Sequence, residues 1–365
     1  MDPYREDSRV RGYADRLAHP FEEVPSVIHP DDDMYRYNLE SLRGCRPCAA
    51  ILYYSKGWQI FSTVREVAAW RFGSLRNVAS LLDVGSGHGR VTRFLVGEVE
   101  PARICTAEIR PTAIEFQKRA FGVRGVVTRP DPASLDPRER FDCIVAASFF
   151  SHLPEGRFRG WMKRLVDLLT EGGLLLFSTH GASLLNPGAG DLPNGIVFVP
   201  DSEARDLDSS EYGTSYVTAE FVERVVDEAT DGQGRTRHFA RGLCGYQDLY
   251  VVTRDGSTSL DSLEVTQFPW GEVDRSNLES NRLVLEGWVD GGNGPSSLKS
   301  VCLTVNNVER GAWSPAEAGD RRWRIDVDRS DIGLDDVLIA SARNEQGLEN
   351  ILSMGTLRPY LAPDG

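Results

Sequence analysis

Between Leu81 and Arg90 the sequence reads LLDVGSGHGR, an apolar strand-like run that passes through glycines at 85, 87 and 89 into helix-forming sequence. Glycines at such a turn let the backbone approach a ligand that a Cβ would exclude. The alternation then repeats. Val78 to Val84 reads as a buried strand, Gly89 to Glu98 as a helix, Ile104 to Ile109 as a strand and Pro111 to Ala120 as a helix opened by proline. Gly125 to Thr128, Phe141 to Ala147 and Leu174 to Thr179 read as further strands, with a helix over Arg157 to Leu169 between the last two. Strands separated by helices imply a parallel sheet with right-handed crossovers and helices on both faces. A helix over Tyr216 to Ala229 and a hairpin of Arg235 to Leu243 with Tyr246 to Thr253 complete an expected seven-stranded, mostly parallel Rossmann-like α/β sheet with an antiparallel last strand.

After Arg254 the pattern changes. DGSTSLDS reads as a linker, and beyond it Leu283 to Val289, Val301 to Val305, Trp323 to Val327 and Val337 to Arg343 are short strands separated by turn-rich stretches such as DGGNGPSS. That pattern predicts a small all-β sandwich. A chain of 365 residues is long enough for two cores. The expected division is therefore an N-terminal arm and helical lid over 1–75, a catalytic domain over 76–254 and a β-sandwich module over 262–360. Helical spacing from Asn38 to Phe72 places one or two helices before the first strand.

A formal charge of −13 argues against a nucleic-acid partner, because polyanion binders need Lys and Arg to displace phosphate counterions. No apolar run approaches the ~20 residues that span a bilayer, and the first thirty residues lack a signal-peptide core, so a cytoplasmic protein without a membrane span is expected. Scattered cysteines at 45, 48, 105, 143, 244 and 302 favour buried free thiols. Cys45 and Cys48 form a C-x-x-C that is either half a zinc site or a redox pair. No second half completes a zinc site, so no metal is expected.

A dinucleotide site of the G-x-G-x-x-G kind needs a third glycine where Arg90 stands, which disfavours a nicotinamide-dependent oxidoreductase. LLDVGSGHGR instead resembles the first motif of class I S-adenosylmethionine-dependent methyltransferases. Further pieces fall in the order of that family: Glu108 at the end of the second strand, DPASL from Asp131, and FDCIVAASFFSHLPE from Phe141. The resemblance implies S-adenosyl-L-methionine as cofactor. It implies contacts to it from Asp83, Gly85, Ser86 and Gly87, from Glu108 and Ile109, from Asp131 and Pro132, and from Ser148 and Phe149. Glu108 would accept both ribose hydroxyls, since an ionised carboxylate offers two acceptor oxygens. Asp131 would meet the adenine amino group.

His152, just after the fourth strand, and His180, at the end of the fifth, are the candidate catalytic bases. Either also reads as a loop-binding histidine. Tyr53, Tyr54 and Lys56 before the first strand, Arg90 in the glycine loop, and Tyr212 and Tyr216 in a long insertion are the candidate substrate contacts, with core packing the competing role for the tyrosines. An alcohol acceptor needs its proton removed during attack, so the histidines favour O-methylation of a small molecule or sugar hydroxyl. RLVLEGWVDG in the β-module resembles small β-domains that accompany glycosyltransferases and methyltransferases of bacterial surface-polysaccharide pathways. Trp270, Trp288 or Trp313 would then stack on sugar rings, or the module would serve as a stabilising or homodimerising surface. A catalytically inactive methyltransferase-like scaffold is the competing reading of the whole chain.

Overall fold

In a computed structural model, which describes residues 1–17, 24–185, 192–201, 207–279, 281–292, 297–317 and 319–358, the chain forms two compact units. One runs from Gly57 to Val265 and includes Val24 and Pro25; the other joins the residues before Gly57 to those from Thr266 onward. The second grouping differs from the division read off the sequence, which sets the N-terminal segment apart from the β-module.

The Gly57–Val265 unit is built on β1 (Leu81–Val84), β2 (Ile104–Glu108), β3 (Arg124–Val127), β4 (Phe141–Ala146) and β5 (Leu169–Gly181), parallel neighbours in the order β3-β2-β1-β4-β5. β9 (Gln247–Thr253) joins β5 antiparallel, and β8 (Arg235–Leu243) joins β9, as the hairpin pattern anticipates. Leu82, Val84, Ile144 and Ala146 of the sheet share one buried core with Phe158, Trp161 and Leu165 of α7 (Glu155–Asp167) and Phe221 and Val225 of α8 (Ala219–Ala229). The order of strand addition reverses between the parallel neighbours β1 and β4, and the carboxyl ends of strands at such a switch point are where sheets of this kind bind ligands.

The seven expected strands are all present as β1–β5, β8 and β9, and among the described residues two short strands extend the sheet to nine. β5 outruns its neighbours, and its last residues, His180 and Gly181, pair with Tyr216 and Val217 of β7 (Thr214–Val217), which pairs in turn with β6 (Ile196–Val199). Tyr216 is therefore in a strand, and α8 starts only after Thr218, whose hydroxyl caps it by accepting from the N–H of Phe221 at 3.2 Å. The first crossover helix shrinks to α5 (Thr92–Leu95) because the glycine turn extends past Gly89, while α6 (Pro111–Phe121) keeps its proline start and gains a left-handed Gly122 at its end.

In the other unit, β10 (Trp270–Glu279), β11 (Arg282–Asp290) and β14 (Arg322–Asp328) form one antiparallel sheet; β13 (Val308–Trp313), β12 (Leu298–Val305), β15 (Leu338–Asn344) and β16 (Glu349–Gly355) form a second. Leu283, Leu285, Leu303, Trp323, Ile325 and Ala342 from both sheets meet in a common core. Trp270 and Trp288 are half-buried and pack edge to face at 4.8 Å, and Trp313 packs against the core, so none of the three is a fully exposed ring. The N-terminal α1 (Pro3–Glu6), α2 (Ser8–Ala14) and α3 (Asp33–Ser41) belong here, with α4 (Arg46–Phe72) as far as Lys56. Asn307 donates to the carbonyl of Arg9 at 2.8 Å, the Arg9 guanidinium donates to the carbonyl of Asp335 at 3.0 Å, and Lys56 donates to Asn350 Oδ1 at 2.9 Å.

Cys45 and Cys48 are joined by a disulfide, which corrects the expectation of free thiols at these positions: one helical turn brings the two sulfurs together. Cys105, Cys143 and Cys244 are buried free thiols and Cys302 is a half-buried one. Among the described residues no helix is long and apolar enough to cross a membrane.

Candidate active site

The glycine loop leaves β1 at Val84 and is held to β2 by the N–H of Gly85, which donates to the carbonyl of Ala107 at 2.8 Å. Gly85, Gly87 and Gly89 all have positive φ, at 65°, 54° and 81°, but for different reasons. A Cβ on Gly85 would lie 2.9 Å from the Phe149 ring and one on Gly89 would lie 2.2 Å from the Phe121 ring, so both are required by the protein's own packing. A Cβ on Gly87 would meet nothing within 4 Å, so the loop is open on that side. Buried Gln117 of α6 fixes the loop from below, its Nε2 donating to Ser86 Oγ and to the Gly87 carbonyl, each at 2.8 Å. The Ser86 hydroxyl, expected at the cofactor, thus serves the loop.

Two buried carboxyls stand at adjoining strand ends. Asp83 accepts from the Thr92 hydroxyl at 2.7 Å, and burial pushes its pKa up to about 7, opposed by that hydrogen bond and reinforced by the charge of Glu108. Glu108 Oε2 accepts from the N–H of Gly87 at 2.9 Å, while its Oε1 accepts from the N–H groups of Ile109 at 2.9 Å and Arg110 at 3.2 Å. Burial raises its pKa and these hydrogen bonds oppose the rise. Ile109 acts here through its backbone. Arg90 is half-buried, and its charge favours the ionised form of Asp83. Asp131 follows β3, is exposed, and accepts from the N–H of Ala133 at 3.0 Å to open the turn containing Pro132.

At the ends of β4 and β5 a second group converges. Ser148 takes a left-handed backbone, φ 56°, with its N–H donating to Ser178 Oγ at 2.8 Å. The hydroxyls of Ser148 and Ser178 both donate to Gln247 Oε1, at 3.0 and 2.7 Å, which turns the amide nitrogen toward His180 Nε2 at 3.1 Å. That nitrogen of His180 is then the acceptor, and the neutral ring carries its proton on Nδ1. His152 has the opposite assignment: its Nδ1 is 2.7 Å from the Gly213 carbonyl, which can only accept, so Nδ1 is the donor and a neutral ring has its lone pair on Nε2. The two rings are 6.2 Å apart. Tyr212 stacks on His152 at 4.5 Å and 11°, and Tyr216 packs against His180 at 5.4 Å.

The structure thus brings Asp83, Gly85, Gly87, Glu108 and Phe149 together at the strand ends, and His152 together with His180, Tyr212 and Tyr216. Tyr53, Tyr54 and Lys56 belong to the other compact unit, where the Tyr53 phenol donates to Asp32 at 2.6 Å, the Tyr54 phenol donates to the Ser26 carbonyl, and Lys56 reaches Asn350. Thr92, Gln117, Ser178 and the hydrogen bonds of Gln247 were not singled out from the sequence; only its place in a largely apolar strand hinted at Ser178.

A glycine loop after β1 and a carboxylate at the end of β2 stand at the carboxyl ends of the strands, where α/β sheets of this order bind ligands. More particularly, residues 82–175 match the family model described as a methyltransferase domain. Over 102 residues the chain is 29% identical to a malonyl-[acyl-carrier protein] O-methyltransferase of Acetivibrio thermocellus, a match that covers 28% of this chain and 35% of that protein. The chain therefore spans about a third of the length of that curated relative. Among solved structures it is similar to an S-adenosylmethionine-dependent methyltransferase from Clostridium acetobutylicum at 14% identity and a TM-score of 0.39, covering 54% of this chain and 92% of that one. It is also similar to an O-methyltransferase family protein from Burkholderia thailandensis at 13% identity and a TM-score of 0.40, covering 61% of this chain and 63% of that one.

Proposed function

We propose that this protein is an S-adenosylmethionine-dependent methyltransferase acting on a hydroxyl of a sugar or other small molecule, in a setting such as bacterial surface-polysaccharide synthesis. The observation that carries the reading is the junction of Gly87 and Glu108: a carboxylate at the end of β2 bound to a glycine loop that is open on its outer side. Glu108 suits a ribose diol, and Gly87 leaves room for the amino-acid part of the cofactor. When bound, the sulfonium cofactor supplies an activated methyl group. The chain's own residues hold the acceptor in line and remove its proton.

His152 is the base in this reading. Its Nδ1–H is committed to Gly213, its Nε2 carries the lone pair, and Tyr212 fixes the plane of the ring. His180, with Nε2 accepting from Gln247 and Nδ1 buried, serves to hold the His152 side of the site in place instead. A net charge of −13 favours a neutral or cationic acceptor over phosphate-rich polymers.

The test is calorimetry of the full chain with S-adenosylhomocysteine and with NAD, followed by turnover of labelled S-adenosylmethionine on a panel of neutral sugars and small alcohols. Binding of S-adenosylhomocysteine without NAD, and transfer to a hydroxyl, are expected. Binding of neither ligand leaves the inactive scaffold as the better reading, and binding of NAD alone rejects the proposal.

A further inference from the structure

α4 opens on the sequence Gly44-Cys45-Arg46-Pro47-Cys48. Cys45 stands immediately before the first helical residue, and its carbonyl accepts from the N–H of Ala49 at 2.9 Å. Cys48 is one turn further in, and the two sulfurs are bonded to each other.

The two sulfurs differ in access. Cys48 is fully buried, whereas Cys45 is only half-buried. A Cβ on Gly44 would meet nothing within 4 Å, so the chain beside Cys45 leaves an approach open. Arg43 and Arg46 on either side are exposed. Both cations stand beside Cys45 at the start of a 27-residue helix. A half-buried, cation-flanked cysteine bonded to a fully buried one within C-x-x-C is the arrangement in which one cysteine exchanges with a partner and the other resolves.

We propose that Cys45–Cys48 is a thiol–disulfide exchange site, with Cys45 the attacked sulfur, Cys48 the resolving one, and a dithiol reductant as the partner. A thiolate of the dithiol attacks Cys45 Sγ, the Cys45–Cys48 bond breaks, and Cys48 leaves as a thiolate that takes up a proton. The partner's second thiol then attacks its own sulfur in the mixed disulfide and expels the Cys45 thiolate. Two electrons pass from the dithiol to the protein, and the dithiol departs as its own disulfide. The reverse sequence, driven by a disulfide oxidant, restores the bond. The site does not depend on the proposed methyl transfer and is tested apart from it.

The experiment equilibrates the full chain with a series of reduced-to-oxidised dithiothreitol ratios, quenches with an alkylating reagent and maps the labels by peptide mass. The peptide carrying Cys45 and Cys48 is expected to pass from unlabelled to doubly labelled in one two-electron step. A pair that stays oxidised in excess reduced dithiothreitol, or reduced in excess oxidised dithiothreitol, overturns the proposal. Polarity is read with oxidised glutathione: Cys48→Ser is expected to take one glutathione on Cys45, and Cys45→Ser at least about tenfold less on Cys48. Equal labelling of the two variants overturns the assigned roles. Where a variant fails to fold, the reduced wild-type chain under limiting alkylating reagent gives the same reading, with Cys45 labelled at least about tenfold faster than Cys48.

Discussion

His152 and Gly213 are bonded to each other twice: the ring Nδ1 lies 2.7 Å from the Gly213 carbonyl, and the Gly213 N–H donates to the His152 carbonyl at 2.9 Å. A residue of the insertion after β5 thereby sets both the tautomer and the position of the proposed base. His152→Ala is expected to lower the rate of methyl transfer to a hydroxyl about a hundred- to ten-thousandfold, the usual range for a general base, while the Kd for S-adenosylhomocysteine stays within a few-fold. A fall of less than roughly threefold in turnover, with His180→Ala abolishing activity, would move the base to β5.

Glu108→Gln keeps the side chain's shape but removes its charge. Hydrogen bonds to a charged acceptor contribute about 1.5–3 kcal/mol each, so S-adenosylhomocysteine is expected to bind at least about tenfold more weakly to this variant. Because Glu108 also accepts from the N–H groups of Gly87, Ile109 and Arg110, a thermal melt must accompany the calorimetry. An unchanged Kd in a folded variant removes Glu108 from the cofactor site.

Asp83 carries a pH signature. Its pKa is raised by burial to about 7 in the folded chain, against an ordinary value of 3.8, so between those values the folded state holds a proton that the unfolded state has released. The sign follows: stability falls as pH rises from about 4 to about 7, by on the order of a few kcal/mol from this residue. Asp83→Asn keeps an oxygen for the Thr92 hydroxyl and has no proton to lose. Urea unfolding is expected to show the variant more stable than wild type at pH 7.5, with the gain vanishing near pH 4. A constant difference across that range would show that Asp83 does not titrate there.

What the sequence made legible follows the range of the forces involved. Glycine spacing, a carboxylate at a strand end and alternating hydrophobicity are local signals, and they locate β1, β2, β4 and the Gly87–Glu108 junction. β6 and β7 escaped because strands of four residues owe their pairing to the overhanging end of β5, not to their own pattern. Gln117 reads as an ordinary polar helix residue until α6 is laid under the glycine loop. The grouping of the N-terminal helices with the β-module rests on contacts such as Asn307 with Arg9, which no local pattern announces.

That grouping changes what truncation should do. A linker near Arg254 suggests that everything before it stands alone, and a fragment of residues 1–259 would then keep its ligand affinity. The structure gives the N-terminal segment partners beyond the cut: Asn307 for the Arg9 carbonyl, the Asp335 carbonyl for the Arg9 guanidinium, and Asn350 for Lys56. Lys56 lies on α4, the same helix that supplies Gly57 onward to the other unit, so loss of those partners frees a helix whose remainder belongs to the sheet-bearing core. These hydrogen bonds are part-buried or exposed and contribute about 0.5–1.5 kcal/mol each, so losing them together removes a sizeable share of a domain's marginal stability. The 1–259 fragment is therefore expected to aggregate or to melt well below the full chain, as followed by sedimentation and thermal unfolding. A soluble, monomeric fragment that binds S-adenosylhomocysteine within a few-fold of the full chain would show that the N-terminal helices do not need the β-strands.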